Sequence, residues 1–333
     1  VAGRAGVGVG TVSRVLNGSP AVSAETRRRV LAVIAELGYQ PNAAARALST
    51  GRTGAVGVLA PFFTEPAVVQ RLRGVSRVLA GAGLQLVLFD VEHPEPFAAL
   101  SAAGRLDGLL CVSLAPGDAE LERLEAAGVP VVLVDREHPR LSGVSIDDVA
   151  GGRLAAEHLL ALGHRRIAYV GDQEDGPFGF TSSARRRTGA AAATAAAGAD
   201  LLVWRGPHGR EHARTLASAL LASEQPPTAV VAASDLQALG VLQAAEAAGV
   251  RVPGDLSVVG FDDVEVARYV GLTTIAQPLE ESGVRGARLL LQALEGAPRS
   301  AQRLDLRLVV RATTGPPSQA PAGSGANKPA TVA

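Results

Sequence analysis

The stretch Val1-Ala2-Gly3-Arg4-Ala5-Gly6-Val7-Gly8-Val9-Gly10-Thr11-Val12-Ser13-Arg14-Val15 decides how this chain is organised. Ala2 is small where two helices must cross closely, and Gly6 stands where the turn between them demands a left-handed backbone. Val12 then packs the second helix onto the first. The pattern is that of a helix-turn-helix. Gly6-x-Gly8-x-Gly10 could also suggest a nucleotide loop, but no strand precedes it and no acid follows at ~20 residues in a βαβ setting.

Working outward, Ser23 is placed to cap a helix over residues 24–36. Val30, Ile34 and Leu37 fall at i, i+4 and i+7 and are expected to share its buried face, with Gly38 ending it. Residues 42–48 form a short Ala-rich segment, and residues 50–54 read as a linker. Residues 1–52 hold seven Arg against two acids, while the whole 333-residue chain is formally neutral. A basic head on a mildly acidic body suits a polyanionic partner, or else a solvated helix face.

From Ala55 the rhythm changes. Apolar runs at residues 56–60, 84–89, 108–112, 129–134, 167–171, 201–204, 229–233 and 256–261 are separated mostly by helical stretches. Such alternation predicts an α/β fold of parallel sheets flanked by helices, and its length predicts two lobes. Hydrophobic residues make up 47% of the chain, enough for a sizeable core. No apolar run is long enough for a membrane span and no signal-peptide profile opens the chain, so a cytoplasmic location is expected. The single cysteine, Cys111, lies in an apolar run and reads as a buried thiol. Residues 315–333 are Gly, Pro, Ser and Ala with little apolar bulk and are expected to be disordered. The chain holds no Met, so a start upstream of Val1 is expected.

Thr11-Val12-Ser13-Arg14-Val15-Leu16-Asn17, Val22-Ser23-x-x-Thr26-Arg27, Gly38-Tyr39-x-Pro41-Asn42 and Ala47-Leu48 resemble, in order and spacing, the head of the lactose-repressor/galactose-repressor (LacI/GalR) family. The resemblance implies that the helix from about Val9 to Asn17 enters the DNA major groove. Val9, Gly10, Ser13 and Arg14 would face base edges, and Thr11 and Asn17 would hold phosphates. Arg14 can fork onto a guanine, whereas Val9 and Gly10 lack polar side chains, so reading would fall mainly on Arg14 and Ser13. Gly8 replaces the family's usual Ser cap. The family's first helix begins several residues before Val1, so this one is expected to be cut short. The segment from Asn42 to Leu48 resembles the hinge helix, with Leu48 as a minor-groove wedge or, in the plainer reading, packed on its own core. The head thus spans residues 1–49.

Residues 55–314 resemble the same family's effector core and, more distantly, periplasmic sugar-binding proteins. The matches are Val144-x-x-Asp147-Asp148-x-x-Gly151-Gly152, His158-Leu159-x-x-Leu162-Gly163-His164, Ser234-Asp235-x-x-Ala238-x-Gly240, and the run from Val252-Pro253 through Val259-Gly260-Phe261-Asp262-Asp263 to Gln277-Pro278. The implied fold is a two-lobed, periplasmic-binding-protein-like core with a ligand cleft. By matched position Arg186, Ser234 and Asp262 would line that cleft, Asp147 would sit near its mouth, and His208 would stand where some members place an aromatic ring. Arg186 and Asp262 suit a polyol, being a fixed fork of donors and a double acceptor. Without the match, Arg186 reads as a surface ion pair and Asp262 as a turn or cap. The aromatics that follow Asn-Pro in the family are absent, since Glu65-Pro66 is followed by Ala67-Val68, so a stacking wall is expected to be missing. His208 and His212 stand at i and i+4, but no third metal ligand accompanies them, so neither metal nor cofactor is expected. No nucleophile–base set argues for an enzyme. The resemblance implies a homodimeric regulator, expected to be a repressor, that binds a pseudo-palindromic operator and answers to a small effector, a sugar or related polyol.

Overall fold

In the first of the chain's two units, Val1–Gly54, a four-residue helix α1 (Ala2–Ala5) ends on Gly6, whose φ of 63° meets the demand for a left-handed turn. Helix α2 (Val9–Leu16) follows, then α3 (Ala24–Glu36), with Ser23 accepting from the Thr26 amide at 3.2 Å as its cap. Ala5, Val12, Val15, Val30 and Val33 form the core. Leu37 departs from the expected face and is 45% exposed. The helix ends at Glu36, and the apolar residues of α1 and α2 gather on Val30 and Val33 rather than on its last turn.

The structure is a computed structural model and describes residues 1–16, 18–39, 52–91, 106–174 and 179–318. Asn17, Asn42, Leu48, the hinge segment 42–48, the start of the linker and residues 319–333 lie outside the described residues.

The second unit, Ala55–Ala333, holds two sheets. The first lobe contains β1 (Ala55–Ala60), β2 (Gln85–Asp90), β3 (Gly108–Val112), β4 (Val131–Val134), β5 (Ser142–Ile146) and β11 (Ala301–Leu304), in the order β11-β5-β4-β3-β1-β2 and all parallel. The second contains β6 (Arg166–Asp172), β7 (Asp200–Gly206), β8 (Ala229–Ala232), β9 (Ser257–Asp262), β10 (Thr273–Ala276) and β12 (Arg307–Val309), in the order β12-β10-β9-β8-β6-β7, with only β12 antiparallel. Sheets covered on both faces explain the unbroken apolar runs: every residue of β3 and β8 is buried, Cys111 included. The chain passes between lobes after β5, after β10 and after β11.

Helices α4 (Pro66–Gly81) and α11 (Leu279–Leu294) pack together in the first lobe, opposite α5 (Asp118–Ala126). In the second lobe α6 (Asp148–Ala161) packs on α7 (Ser182–Ala196), and α8 (Arg210–Leu221) on α9 (Asp235–Ala247), while the short α10 (Glu265–Tyr269) follows β9. Glycine sits at each crossing. A methyl at Gly152 would fall on the Arg186 carbonyl, one at Gly189 on the Val149 carbonyl, and one at Gly283 on the Arg71 carbonyl. These close approaches fix where Arg186 and Arg71 emerge.

The ordered chain runs past Thr314. Gly315 donates to Ser257 Oγ at 3.1 Å and accepts from His164 Nε2 at 2.9 Å, so the expected tail does not begin at once. Among the described residues no helix is long and apolar enough to cross a membrane.

Substituting Gly152→Ala should lower the core's unfolding free energy by about 1–3 kcal/mol, because backbone must shift to admit the methyl. Gly81→Ala, at a helical position with open space around its Cβ, should raise it by up to about 1 kcal/mol. Urea unfolding of both variants tests this, and similar effects at the two sites would contradict the packing argument.

Candidate functional site

On α2, Val12 and Val15 face inward, and Val9, Gly10, Ser13 and Arg14 form an exposed face one helical turn long, with Thr11 half-buried beside it. Val9 is 77% exposed, a large apolar surface for so small a unit. Arg14 lies in the last turn of α2, and Arg27 turns inward to hold the Ser19 carbonyl at 2.5 Å. This helix can therefore present one guanidinium, one hydroxyl and one apolar group to a groove.

In the second unit the carboxyl ends of the strands from both lobes converge, the usual place for a ligand in such sheets. All five non-glycine residues recorded with positive φ among the described residues lie there: Phe62 (50°), Ser113 (58°), Asp135 (66°), Asp262 (122°) and Asp263 (59°). Such backbone costs roughly 1–3 kcal/mol per residue and persists where surroundings impose it.

Arg186 projects from α7 into this region and is 6% exposed. Its Nε donates to Asp148 Oδ1 at 2.8 Å and its Nη1 to the Ala233 carbonyl at 2.6 Å, while the guanidinium lies 3.6 Å over the Phe261 ring. Burial pushes the Asp148 carboxyl up even beside that guanidinium. Arg71, from α4, makes the matching pair in the other lobe: Nη2 lies 2.9 Å from Asp135 Oδ1 and 2.9 Å from Gln277 Oε1. Gln277 Nε2 donates to Asp262 Oδ1 at 2.5 Å, and Ser113 Oγ donates to Asp135 Oδ2 at 2.8 Å. Burial pushes the Asp262 carboxyl up to about 6, against the opposing pull of Arg186 and Arg71. Asp235, at the start of α9, is also held well above the usual carboxylate range by burial and by Asp262. It accepts from the Val264 amide and Thr274 Oγ1, which staples three elements beneath the site.

At the mouth His208 bridges the lobes. Its Nδ1 faces Asp172 Oδ1 at 3.0 Å and its Nε2 faces Glu65 Oε1 at 3.0 Å. Burial alone would lower its pKa, but the hydrogen bonds and charges of these two carboxylates carry it up to about 10. The ring stacks on Phe62 at 5.1 Å, and Phe62 lies 6.0 Å from Phe180 across the cleft. Two aromatic rings thus stand at the mouth from positions other than those that follow Glu65-Pro66. The two carboxylates hold opposite ring nitrogens and do not converge, and among the described residues no group of three or more candidate ligands could hold a metal.

Behind this bridge lies a cavity of about 190 Å³, lined by Ser113, Asp135, Glu137, Asp148, Phe180 and Arg185 among others. A smaller pocket of about 20 Å³ brings together Glu65, Ser234 and Asp262. Ser234 and Asp262 share this smaller pocket, Arg186 reaches their neighbourhood through the Ala233 carbonyl, His208 through Glu65, and Arg186 is a buried ion pair rather than a surface one. Ser234 also caps α9 by accepting from the Gln237 amide. Asp147 is a helix cap, accepting from the Ala150 amide at 3.0 Å with a 40% exposed side chain, and its neighbour Asp148 faces the cavity instead. Asp135, Ser113, Arg71 and Gln277 were missed. Each stands at a strand end or on a helix facing one, a position that topology reveals and spacing along the chain does not.

Comparison with known proteins places this geometry. Residues 1–42 match the bacterial regulatory proteins of the lacI family, and residues 156–314 match the periplasmic binding protein-like domain. The chain is 39% identical to the HTH-type transcriptional regulator CelR of Thermobifida fusca over 331 residues, covering 93% of this chain and 96% of the relative. Its fold matches a transcriptional regulator CelR–cellobiose complex with a TM-score of 0.71 and 35% identity, over 94% of this chain and 98% of that one. It matches the lac repressor dimer bound to operator and the anti-inducer ONPF with a TM-score of 0.83 and 31% identity, over 94% and 97%.

The His208 bridge makes a pH test. A raised pKa means that its contribution is fully present below about pH 6.5 and is lost as pH rises toward about 10. Wild type should melt above His208→Gln by most at pH 6, and the gap should close by pH 10. A gap that ignores pH would show that the imidazolium does not tie the lobes.

Proposed function

The chain belongs to the lacI family of bacterial regulatory proteins, and we propose that it acts as a repressor-type regulator whose operator affinity is set by a sugar or related polyol in the cleft. Its relatives carry regulator names and the chain is a DNA-binding regulator, not an enzyme. In this reading Val9, Gly10, Thr11, Ser13, Arg14 and Asn17 meet the major groove, and Asn42 and Leu48 belong to the hinge at the minor groove. Arg186, His208, Ser234 and Asp262 meet the effector, together with Asp135 and Asp148. The protein works in the cytoplasm, where operator and metabolite are both present.

The observation that carries the effector site is the convergence of strained backbone, two buried guanidiniums and three carboxylates at the facing strand ends. Hydroxyls of a polyol suit such groups, because each can both donate to a carboxylate and accept from a guanidinium. The relatives support the class: one solved structure holds cellobiose and another, from Enterococcus faecium, holds ribose. A homodimer is supported by the lac repressor dimer and by an apolar patch on the second lobe. Tyr269 is 78% exposed, Val270 42% and Val310 58%, and the Ala312 amide bonded to the Gly271 carbonyl draws those segments together.

Selection of bound sequences from a random duplex library should return a palindrome, and disaccharide added at millimolar concentration should shift the affinity for it. Arg14→Ala should weaken specific binding by about 1–3 kcal/mol and relax preference at one base position per half-site. Recovery of no common sequence would overturn the regulator reading. Arg186→Lys should abolish the effector response while retaining operator binding. Lysine is chosen because Arg186→Ala would strand the buried Asp148 carboxylate, at a cost of roughly 3–5 kcal/mol.

A further inference from the structure

Arg136, Glu137 and Ser145, which line the cleft cavity, also line a second space of about 490 Å³ on their other side, which runs along the outer edge of the first sheet. Pockets for small ligands run to about 300–1,000 Å³, so the inner cavity alone is undersized and the two together are not.

The floor of the outer groove is flat because small residues face each other across its two strands. Gly143 of β5 pairs with Ala301 of β11, and one step along Ser145 pairs with Arg303. A side chain at Gly143 would already crowd the Leu133 and Arg136 carbonyls at 3.2 Å. Leu141 adds an apolar surface, and Arg299 is locked over the edge by donating to the Leu141 carbonyl at 2.9 Å and the His138 carbonyl at 3.2 Å. At the junction the Glu137 carboxylate accepts from Ser145 Oγ at 2.7 Å and from Arg303 Nη2 at 2.9 Å. Glu137 and Arg303 remain 43% and 56% exposed, so a hydroxyl can insert between them without desolvating a buried pair. A flat apolar floor with planar donors and acceptors at its rim matches a sugar ring, which has an apolar face and hydroxyls around its edge.

We propose that the effector cleft continues past Glu137 into this edge groove, so that the effector is an oligosaccharide of two or more sugar units, the first in the cleft and the next over the Gly143–Ala301 floor. This rests on the sugar-responsive reading above and narrows it. Glu137 and Arg303 then select by size and linkage, since their ion pair must open, or the second ring cross over it, for that ring to reach the floor.

Calorimetric titration of the full chain with the mono-, di- and trisaccharides of β-1,4-glucose, α-1,4-glucose and β-1,4-xylose tests it. In at least one series the disaccharide should bind about tenfold or more tighter than the monosaccharide. Ala301→Trp, a substitution at an exposed edge position, should bring the disaccharide down to the monosaccharide's affinity, with melting used to check that the variant folds. A monosaccharide that binds as tightly as its oligomers, or a disaccharide indifferent to a folded Ala301→Trp, would overturn the extended site and leave the sugar-responsive reading standing. Silence across all three series would overturn the extended site, and a shift of operator affinity by another sugar or polyol would still leave the sugar-responsive reading standing.

Discussion

Two guanidinium groups, Arg71 and Arg186, are folded out of water at the centre of the larger unit, and much of the structure around them answers that fact. Taking such a charge from water costs several kcal/mol unless a carboxylate and further hydrogen bonds meet it. Asp135 meets Arg71 and Asp148 meets Arg186, while Asp262 reaches the first through Gln277 and lies close enough to influence the second. Each carboxylate stands at or just past a strand's carboxyl end. The glycines at the helix crossings serve the same end: without the close approach at Gly152 and Gly189, α7 would stand off and Arg186 would not reach Asp148. Positive φ at Asp135 and Asp262 is the local cost of aiming those side chains into the cleft.

The arrangement is held but not saturated. Arg71 Nε is buried with no partner among the described residues, a group that costs free energy while it stays so. Burial holds the Asp262 carboxyl above the usual carboxylate range, so its charge answers to what binds beside it. A polyol that inserts hydroxyls among these groups supplies what protein atoms leave undone. In the proposed reading binding changes how firmly the lobes are tied, since Arg71 of the first lobe is joined to Asp262 of the second through Gln277. A regulator needs that coupling, with energy at the cleft converted into a change in how the lobes close.

Much of this was legible in the residues. Gly6 and Val12 pointed to a helix-turn-helix that the family resemblance then identified, and eight strands followed from apolar runs, six of them inside their sheets and two, β2 and β7, at the edges but still rich in Leu and Val. Four strands escaped notice for physical reasons. β5 and β10 carry Ser and Thr, and β11 and β12 are short strands at sheet edges with residues facing water. Arg186 and Asp262 were found through a resemblance, since neighbouring arginines made Arg186 look like surface. Asp135 and Arg71 were not found, because nothing along the chain shows that residues 64 positions apart will share a buried bond. Asp147, placed near the cleft mouth by resemblance, caps α6 while Asp148 lines the cavity, and only geometry separates two adjacent aspartates in this way.

The central claim is that cleft occupancy and operator binding are one linked equilibrium. The most direct measurement is the affinity of the tightest-binding saccharide for the free protein and for the protein saturated with its selected operator. The account predicts that the two differ by about 5–150-fold, and that the operator's affinity changes by the same factor when saccharide is saturating. Equal affinities with and without operator would contradict it, because a ligand indifferent to DNA cannot regulate DNA binding however well it fits the cleft.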